Sequence, residues 1–126
     1  MEKVNDILER QMVLANPNTT VEAASKLLER SSLPFLPVIE EGKLVGVFSG
    51  QQRGKEGKNG KVAGVMKRPF FIEKGKSVNY AVKYMLARNL TRIPVVDSAI
   101  AMHYLGVISS SGLIRAKRQK KEKTKR

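Results

Sequence analysis

The sequence predicts a mixed αβ (α+β) protein of two pseudo-symmetric β-α-β-β units, packed sheet to sheet with flanking helices. A doubled stretch is the first reason. Leu36-Pro37-Val38-Ile39, a short turn and Leu44-Val45-Gly46-Val47-Phe48-Ser49 return as Ile93-Pro94-Val95-Val96, a longer connection and Leu105-Gly106-Val107-Ile108-Ser109. Each copy is two short apolar runs separated by polar or small residues. That is the pattern of a strand pair joined by a reversal, with Pro near the start of the first strand, where a missing N–H is tolerated. Spacing is the second reason. Val78 follows Val21 by 57 residues and Pro94 follows Pro37 by the same interval, but Gly106 follows Gly46 by 60, so the second copy carries three extra residues in its turn. A repeat with this many matched positions sets the architecture before any other signal. Size is the third: 126 residues suffice for one compact unit with a real core. Half a unit has too little apolar surface alone, so the halves are expected to supply one core together, with the helices near 21–30 and 78–89 sharing an environment.

In chain order, Val4, Ile7 and Leu8 stand at helical spacing and predict a short amphipathic helix over residues 1–9. Met12-Val13-Leu14-Ala15 reads as a brief strand closed by Asn16-Pro17-Asn18. Thr19, three residues before Glu22, gives a capping-box pattern. The helix that follows buries Val21, Ala24, Leu27 and Leu28 and ends near Arg30. The strand pair turns at Glu40-Glu41-Gly42-Lys43. After Ser49 the pattern fails: Gly50, Gly54, Gly57 and Gly60 interrupt a polar, basic stretch, and each Gly costs a helix about 1 kcal/mol relative to Ala, so a mobile loop is expected. Val62, Val65 and Met66 resume a helical stripe before Pro69, and Phe70-Phe71-Ile72 is the counterpart strand. Ser77 caps a helix with the stripe Val78, Ala81, Val82, Met85 and Leu86. The second strand pair runs from Ile93 to Ser109. A last helix beginning near Ser111 has almost nothing to bury past Ile114 and is expected to fray into the tail.

The chain has no Cys, which excludes a disulfide framework and a thiolate zinc site. No apolar run approaches the roughly 20 residues that span a bilayer, and the charged N-terminus is not followed by an apolar signal segment. The expectation is a cytoplasmic protein without membrane contact. Net charge is +13, and it is concentrated. Residues 115–126 hold eight basic residues and one acidic; residues 53–76 hold eight basic and two acidic; the rest is balanced. Charge confined to two such segments marks solvated or polyanion-seeking arms rather than a basic globular face.

The Ser/Thr-Val-x-x-Ala helix starts (Thr20-Val21 to Ala24, Ser77-Val78 to Ala81), the apolar-Pro-Val strands and the Gly-apolar-apolar-Ser strand ends occur twice, in order. In this the chain resembles a tandem pair of CBS domains, named after cystathionine beta-synthase and often called a Bateman module, in a stand-alone CBS domain protein. The resemblance covers residues 1 to about 115 and implies a first motif over 1–52, a flexible Gly/Lys linker over 53–61, a second motif over 62–114 and a basic tail over 115–126. It implies a regulatory module that binds AMP, ADP, ATP or S-adenosylmethionine in clefts between the motifs, requires no catalytic cofactor, forms a homodimer through its helices and regulates a protein partner. Residues beside the apolar-Pro-Val strands would hold the adenine: Leu36 and Pro37 in the first motif, Thr91, Arg92, Ile93 and Pro94 in the second, with Ile72 in the same set. The Ser that ends the third strand and an Asp three residues later would hold the ribose hydroxyls, because a carboxylate accepts from both hydroxyls of a cis-diol. Here Ser49 is followed by Gln52 and Ser109 by Gly112, so neither half keeps the Asp. Gln52 can accept one bond, and Gly112 offers no side chain. In the second half Ser109 and Ser111 both match contact positions and Arg92 can meet phosphate, which makes that site the better candidate. Loss of a charge-assisted bond removes about 1.5–3 kcal/mol, so weakened or altered nucleotide affinity is expected.

Several of these residues also have plainer roles. Ser49, Ser109 and Ser111 fit helix or turn caps as well as ligand contacts, and Arg92 fits a surface pair with Asp97 or Glu73. His103 has no second metal ligand nearby in sequence. The glycine–lysine stretch lacks the spacing of a phosphate loop and reads as a linker. Met66, Tyr84 and Met85 read as core or dimer-face positions. No aromatic is interleaved with the basic tail or the glycine–lysine stretch, against base stacking. One His, no Cys and no placed carboxylate pair leave no catalytic constellation. The alternative function is an interaction protein with degenerate nucleotide sites, whose basic tail and linker bind nucleic acid or an acidic partner by charge neutralisation.

Overall fold

The structure, a computed structural model, describes residues 2–50 and 60–124. The linker expected over 53–61 lies outside the described residues as far as 59, as does Gln52. In the first half, α1 (Val21–Ser31) precedes the antiparallel pair β1 (Leu36–Glu40) and β2 (Lys43–Phe48). In the second half, β3 (Ile72–Glu73) runs parallel to β4 (Arg92–Val96), which pairs antiparallel with β5 (Tyr104–Ser109); α2 (Val78–Arg88) connects β3 to β4. Ala15 makes a single parallel bridge to Val38, with bonds of 3.0 and 2.8 Å, where the sequence suggested a strand over 12–15. One bridge is the counterpart of the two-residue β3.

Both helices begin with a hydroxyl cap. The Thr20 side chain accepts the Ala23 N–H and the Ser77 side chain accepts the Tyr80 N–H, each at 3.1 Å. The expected cap Thr19 instead closes the preceding turn, its hydroxyl accepting the Asn16 N–H at 3.0 Å. Each helix ends on a left-handed residue, Ser32 or Asn89, whose N–H returns to the last turn. Leu27 is half-buried and Ser25 buried on α1, and Leu86 on α2 is 76% exposed, so the buried face of each helix is narrower than its apolar stripe.

The segments before each half form short 3-10 turns, Val4–Ile7 and Val62–Gly64, rather than the amphipathic helices expected there. Each is clamped to the start of an α-helix. Val4 N–H donates to Lys76 O and Val78 N–H to Glu2 O; Val62 N–H donates to Thr19 O and Val21 N–H to Gly60 O. The clamps cross over. Val4 is buried with Ile72, Val78, Ala81, Met85, Ile93, Val95, Ile108 and Leu113 of the second half, whereas Val62 and Val65 are buried with Val21, Ala24, Leu28, Leu36, Val38 and Phe48 of the first. The buried residues therefore divide into two clusters, not one shared core. α1 belongs to one and α2 to the other. The hairpin tips join the halves: Leu44 N–H donates to Met102 O and Tyr104 N–H to Gly42 O, both at 2.9 Å.

The last helix, α3 (Ser110–Thr124), does not end near Ile114. Leu113 and Ala116 are buried. Beyond them the sequence is rich in Lys, Arg, Gln and Glu, all good helix formers.

Candidate functional site

Residues 8–13 leave the first 3-10 turn and run beside β5, the edge strand of the second sheet. Glu9 and Val107 each donate their N–H to the other's carbonyl at 2.8 Å. So close an approach requires glycine next door: a Cβ on Gly106 would stand 2.4 Å from the Glu9 carbonyl oxygen. Gln11 is fixed on two sides. Its carbonyl accepts the Tyr104 hydroxyl at 2.9 Å, and its Oε1 lies 3.4 Å from Arg92 Nη1, which donates to it. Burial pushes the Tyr104 hydroxyl up to about 12 while the Arg92 charge acts in the opposite sense, so Tyr104 remains a neutral donor at physiological pH.

Ser109 ends β5 and caps α3. Its buried hydroxyl donates to Glu9 Oε2, accepts the Gly112 N–H at 3.1 Å and lies 3.1 Å from the Ser111 hydroxyl. The Thr91 carbonyl accepts the Ser110 N–H at 2.9 Å, which ties the start of β4 to the start of α3. Glu9, Arg92, Ser109, Ser111 and Gly112 thus converge at one end of the second sheet.

Beside this cluster is a cleft of about 270 Å³. One wall is Glu9 to Val13; Ser31 and Leu33 close it from the end of α1, and Arg92 enters from β4. Both halves therefore contribute. Of the lining residues Met12, Val13 and Leu33 are apolar and Glu9 and Arg92 carry opposite charges; the Glu9 carboxylate is held by Ser109 at the border of the cleft.

Of the residues singled out from sequence, Arg92 lines this cleft. Ser109 lies behind Glu9, and Ser111 is exposed next to it. Thr91 is exposed, and its carbonyl is used by Ser110. Leu36, Ile72 and Ile93 are core side chains, and Pro37 and Pro94 are buried within β1 and β4. Ser49 is half-buried at the end of β2, in the other half. Arg92 does not make the suggested pair with Asp97 or Glu73: Asp97 engages His103, and Glu73 Oε2 accepts the Ala99 N–H. Among the described residues no group of three His, Cys, Asp or Glu side chains gathers to hold a metal. Sequence reasoning missed Glu9, Gln11, Met12 and Leu33. A signal existed, since Leu8-Glu9-Arg10 stands to the first half as Met66-Lys67-Arg68 stands to the second.

Comparison with known proteins gives a consistent result. The sequence model of the CBS domain matches residues 4–50 and 62–119. An uncharacterized protein of Methanocaldococcus jannaschii is 29% identical over 121 residues, covering 94% of this chain and 45% of that protein. The chain spans less than half the length of the first curated relatives it matches. Among solved structures, CBSX2, a CBS-pair protein of Arabidopsis thaliana, in complex with AMP has a TM-score of 0.80 at 26% identity, covering 96% of this chain and 99% of that one. The CBS domain pair of protein MJ0100 in complex with 5-methylthioadenosine and S-adenosyl-L-methionine has a TM-score of 0.72 at 27% identity, covering 95% and 98%.

Proposed function

The chain belongs to the CBS domain family as a tandem pair, and on that premise we propose that it is a regulatory module binding an adenosine-containing ligand in the cleft beside Arg92. One observation carries this reading: a single cleft, built by both halves, is lined by apolar residues together with the acidic Glu9 and the basic Arg92. A purine packs on the apolar wall, a carboxylate accepts sugar hydroxyls, and a planar guanidinium matches a phosphate or carboxylate. The binding of AMP by CBSX2 and of methylthioadenosine and S-adenosylmethionine by the MJ0100 pair supports the choice of ligand class. Since the cleft uses Leu33 and Ser31 from one half and Arg92 from the other, a ligand there biases how the halves sit, which is how binding becomes regulation of a partner. Calorimetric titration with AMP, ADP, ATP and S-adenosylmethionine tests the reading. Saturable heat with at least one is expected, and none at millimolar ligand removes the adenosine assignment.

The C-terminal helix favours a second, independent role. α3 carries the basic run as one continuous helix to Thr124. We propose that it engages a polyanion without sequence preference. Truncation after Ala116 keeps the buried Leu113 and Ala116 and should abolish salt-sensitive retention on heparin; unchanged retention removes this role.

A further inference from the structure

Glu9 reaches the cleft from a segment that is remote in sequence from the Ser109 end of β5, and the local packing is arranged around its carboxylate. Its backbone is pinned on both sides by Val107, and its Oε2 is held by the buried Ser109 hydroxyl. Opposite stands Gly112. A Cβ at that position would lie 3.2 Å from Glu9 Oε2 and 3.3 Å from Ser109 Oγ. The Glu9 carboxylate therefore takes up the room into which a side chain at 112 would grow, and the glycine leaves it there. The first half has the same backbone arrangement with opposite chemistry. Lys67 exchanges backbone bonds with Val47 at 3.0 and 3.1 Å as Glu9 does with Val107, and Phe35 stands where the repeat places Arg92. Phe35 is buried, its ring edge-on to Phe70 at 5.0 Å.

A carboxylate at the edge of an apolar cleft, with a guanidinium in the same cleft, matches a ligand carrying vicinal hydroxyls, a flat apolar ring and an anionic group. Resting on the adenosine reading above, we infer that Glu9 is the specificity-determining residue of the cleft: it accepts the 2′- and 3′-hydroxyls of a ribonucleotide and confers selectivity for an intact ribose diol. Ser109 is a positioning residue that aims the carboxylate, and diol selectivity belongs to the second-half cleft alone, because its counterpart Lys67 has no acceptor to offer.

The test is calorimetry with AMP and 2′,3′-dideoxy-AMP on the native chain, Glu9→Gln, and the relocation variant Glu9→Thr with Gly112→Asp, each with a thermal melt to confirm folding. The native chain should prefer AMP by roughly ten- to a hundredfold, the range expected for charge-assisted bonds. Glu9→Gln keeps an acceptor for Ser109 and so keeps the fold; it should lose most of the preference while dideoxy-AMP affinity stays unchanged. The relocation variant should regain at least part of the preference. A Glu9→Gln protein with the native AMP to dideoxy-AMP ratio overturns the role of Glu9 and leaves the adenosine reading standing. A native chain that binds neither nucleotide nor any other adenosine compound overturns both.

Discussion

Glu9 and Val107 exchange both backbone hydrogen bonds at 2.8 Å although they lie at opposite ends of the chain, and Lys67 and Val47 repeat the exchange in the other half. The segment before each half thus adds one antiparallel bridge to the edge of the opposite hairpin's sheet. The two lobes are interlocked by their own leading segments, and the first of these segments, beside β5, forms one wall of the cleft.

Crossing over makes the N-terminal arm a structural part of the second half. Val4 is fully buried against Ile72, Val78 and Ile108. Val4→Ala should destabilise the protein by about 2 kcal/mol, the scale of a buried valine's apolar contribution plus a small cavity. Hydrogen exchange should accelerate first in α2, β4 and β5 rather than in β1 and β2. Uniform acceleration through both sheets would show that the clusters do not open separately.

The two close-approach glycines should differ in sensitivity. A Cβ on Gly46 would meet the Met66 Sδ at 2.7 Å and the Lys67 carbonyl oxygen at 3.0 Å, while one on Gly106 would meet the Glu9 carbonyl oxygen at 2.4 Å. A thioether turns aside and the Lys67 carbonyl at 3.0 Å has to give only slightly, whereas the Glu9 carbonyl, held by Val107, stands 2.4 Å away and has to move much further. Gly106→Ala should cost at least about 2 kcal/mol, at the upper end of overpacking effects, and Gly46→Ala less. Denaturant midpoints for the two variants decide the order. Gly106→Ala should also lower nucleotide affinity, since it displaces Glu9.

Ser25 supplies a change in the opposite direction. Its hydroxyl is buried on α1 with no hydrogen-bond partner among the described residues, and burying an unpaired hydroxyl costs about 1–3 kcal/mol. Alanine also has the better helix propensity. Ser25→Ala should therefore raise the melting temperature, and a lowered one would mean that the hydroxyl has a partner in solution.

Two groups set opposite pH limits. The side-chain contact with His103, whose Nδ1 lies 2.8 Å from Asp97 Oδ2, is the main cause holding the Asp97 carboxyl below its ordinary 3.8. Its ionised form also accepts the Ser98 and His103 N–H groups and so shapes the long turn of the second half. A depressed carboxyl contributes stability that is present above pH 3.8 and is lost as pH falls through the lower folded value. Tyr104, raised from 10.0 to about 12 by burial, contributes stability that is full below pH 10 and is lost as pH rises through 12. A carboxyl-carbon titration of Asp97 and an ultraviolet titration of Tyr104 should show these displaced midpoints. Tyr104→Phe should remove the alkaline one and, through the lost bond to the Gln11 carbonyl, loosen the wall that holds Arg92.

The sequence by itself determined the local elements. The paired apolar runs at Pro37 and Pro94 placed both hairpins, Ser77 placed the start of α2, and the two different intervals located the longer turn between Val96 and Tyr104. These features were legible because short apolar runs, capping and turn length depend on neighbours a few residues away. Short-range signals misled where packing overrode them. Thr19 looked like a cap until Thr20 took the bond, Leu86 looked buried until its face of α2 proved exposed, and α3 ran on past Ile114 to Thr124. Only the tertiary structure decided which lobe each leading segment joins and where the cleft's carboxylate comes from. Glu9 and Ser109 are separated by 100 positions, and no periodicity encodes a contact between residues so far apart. It is fixed by the backbone pairing of Glu9 with Val107, by the absence of a Cβ at Gly106 that permits that pairing, and by the space that Gly112 leaves open.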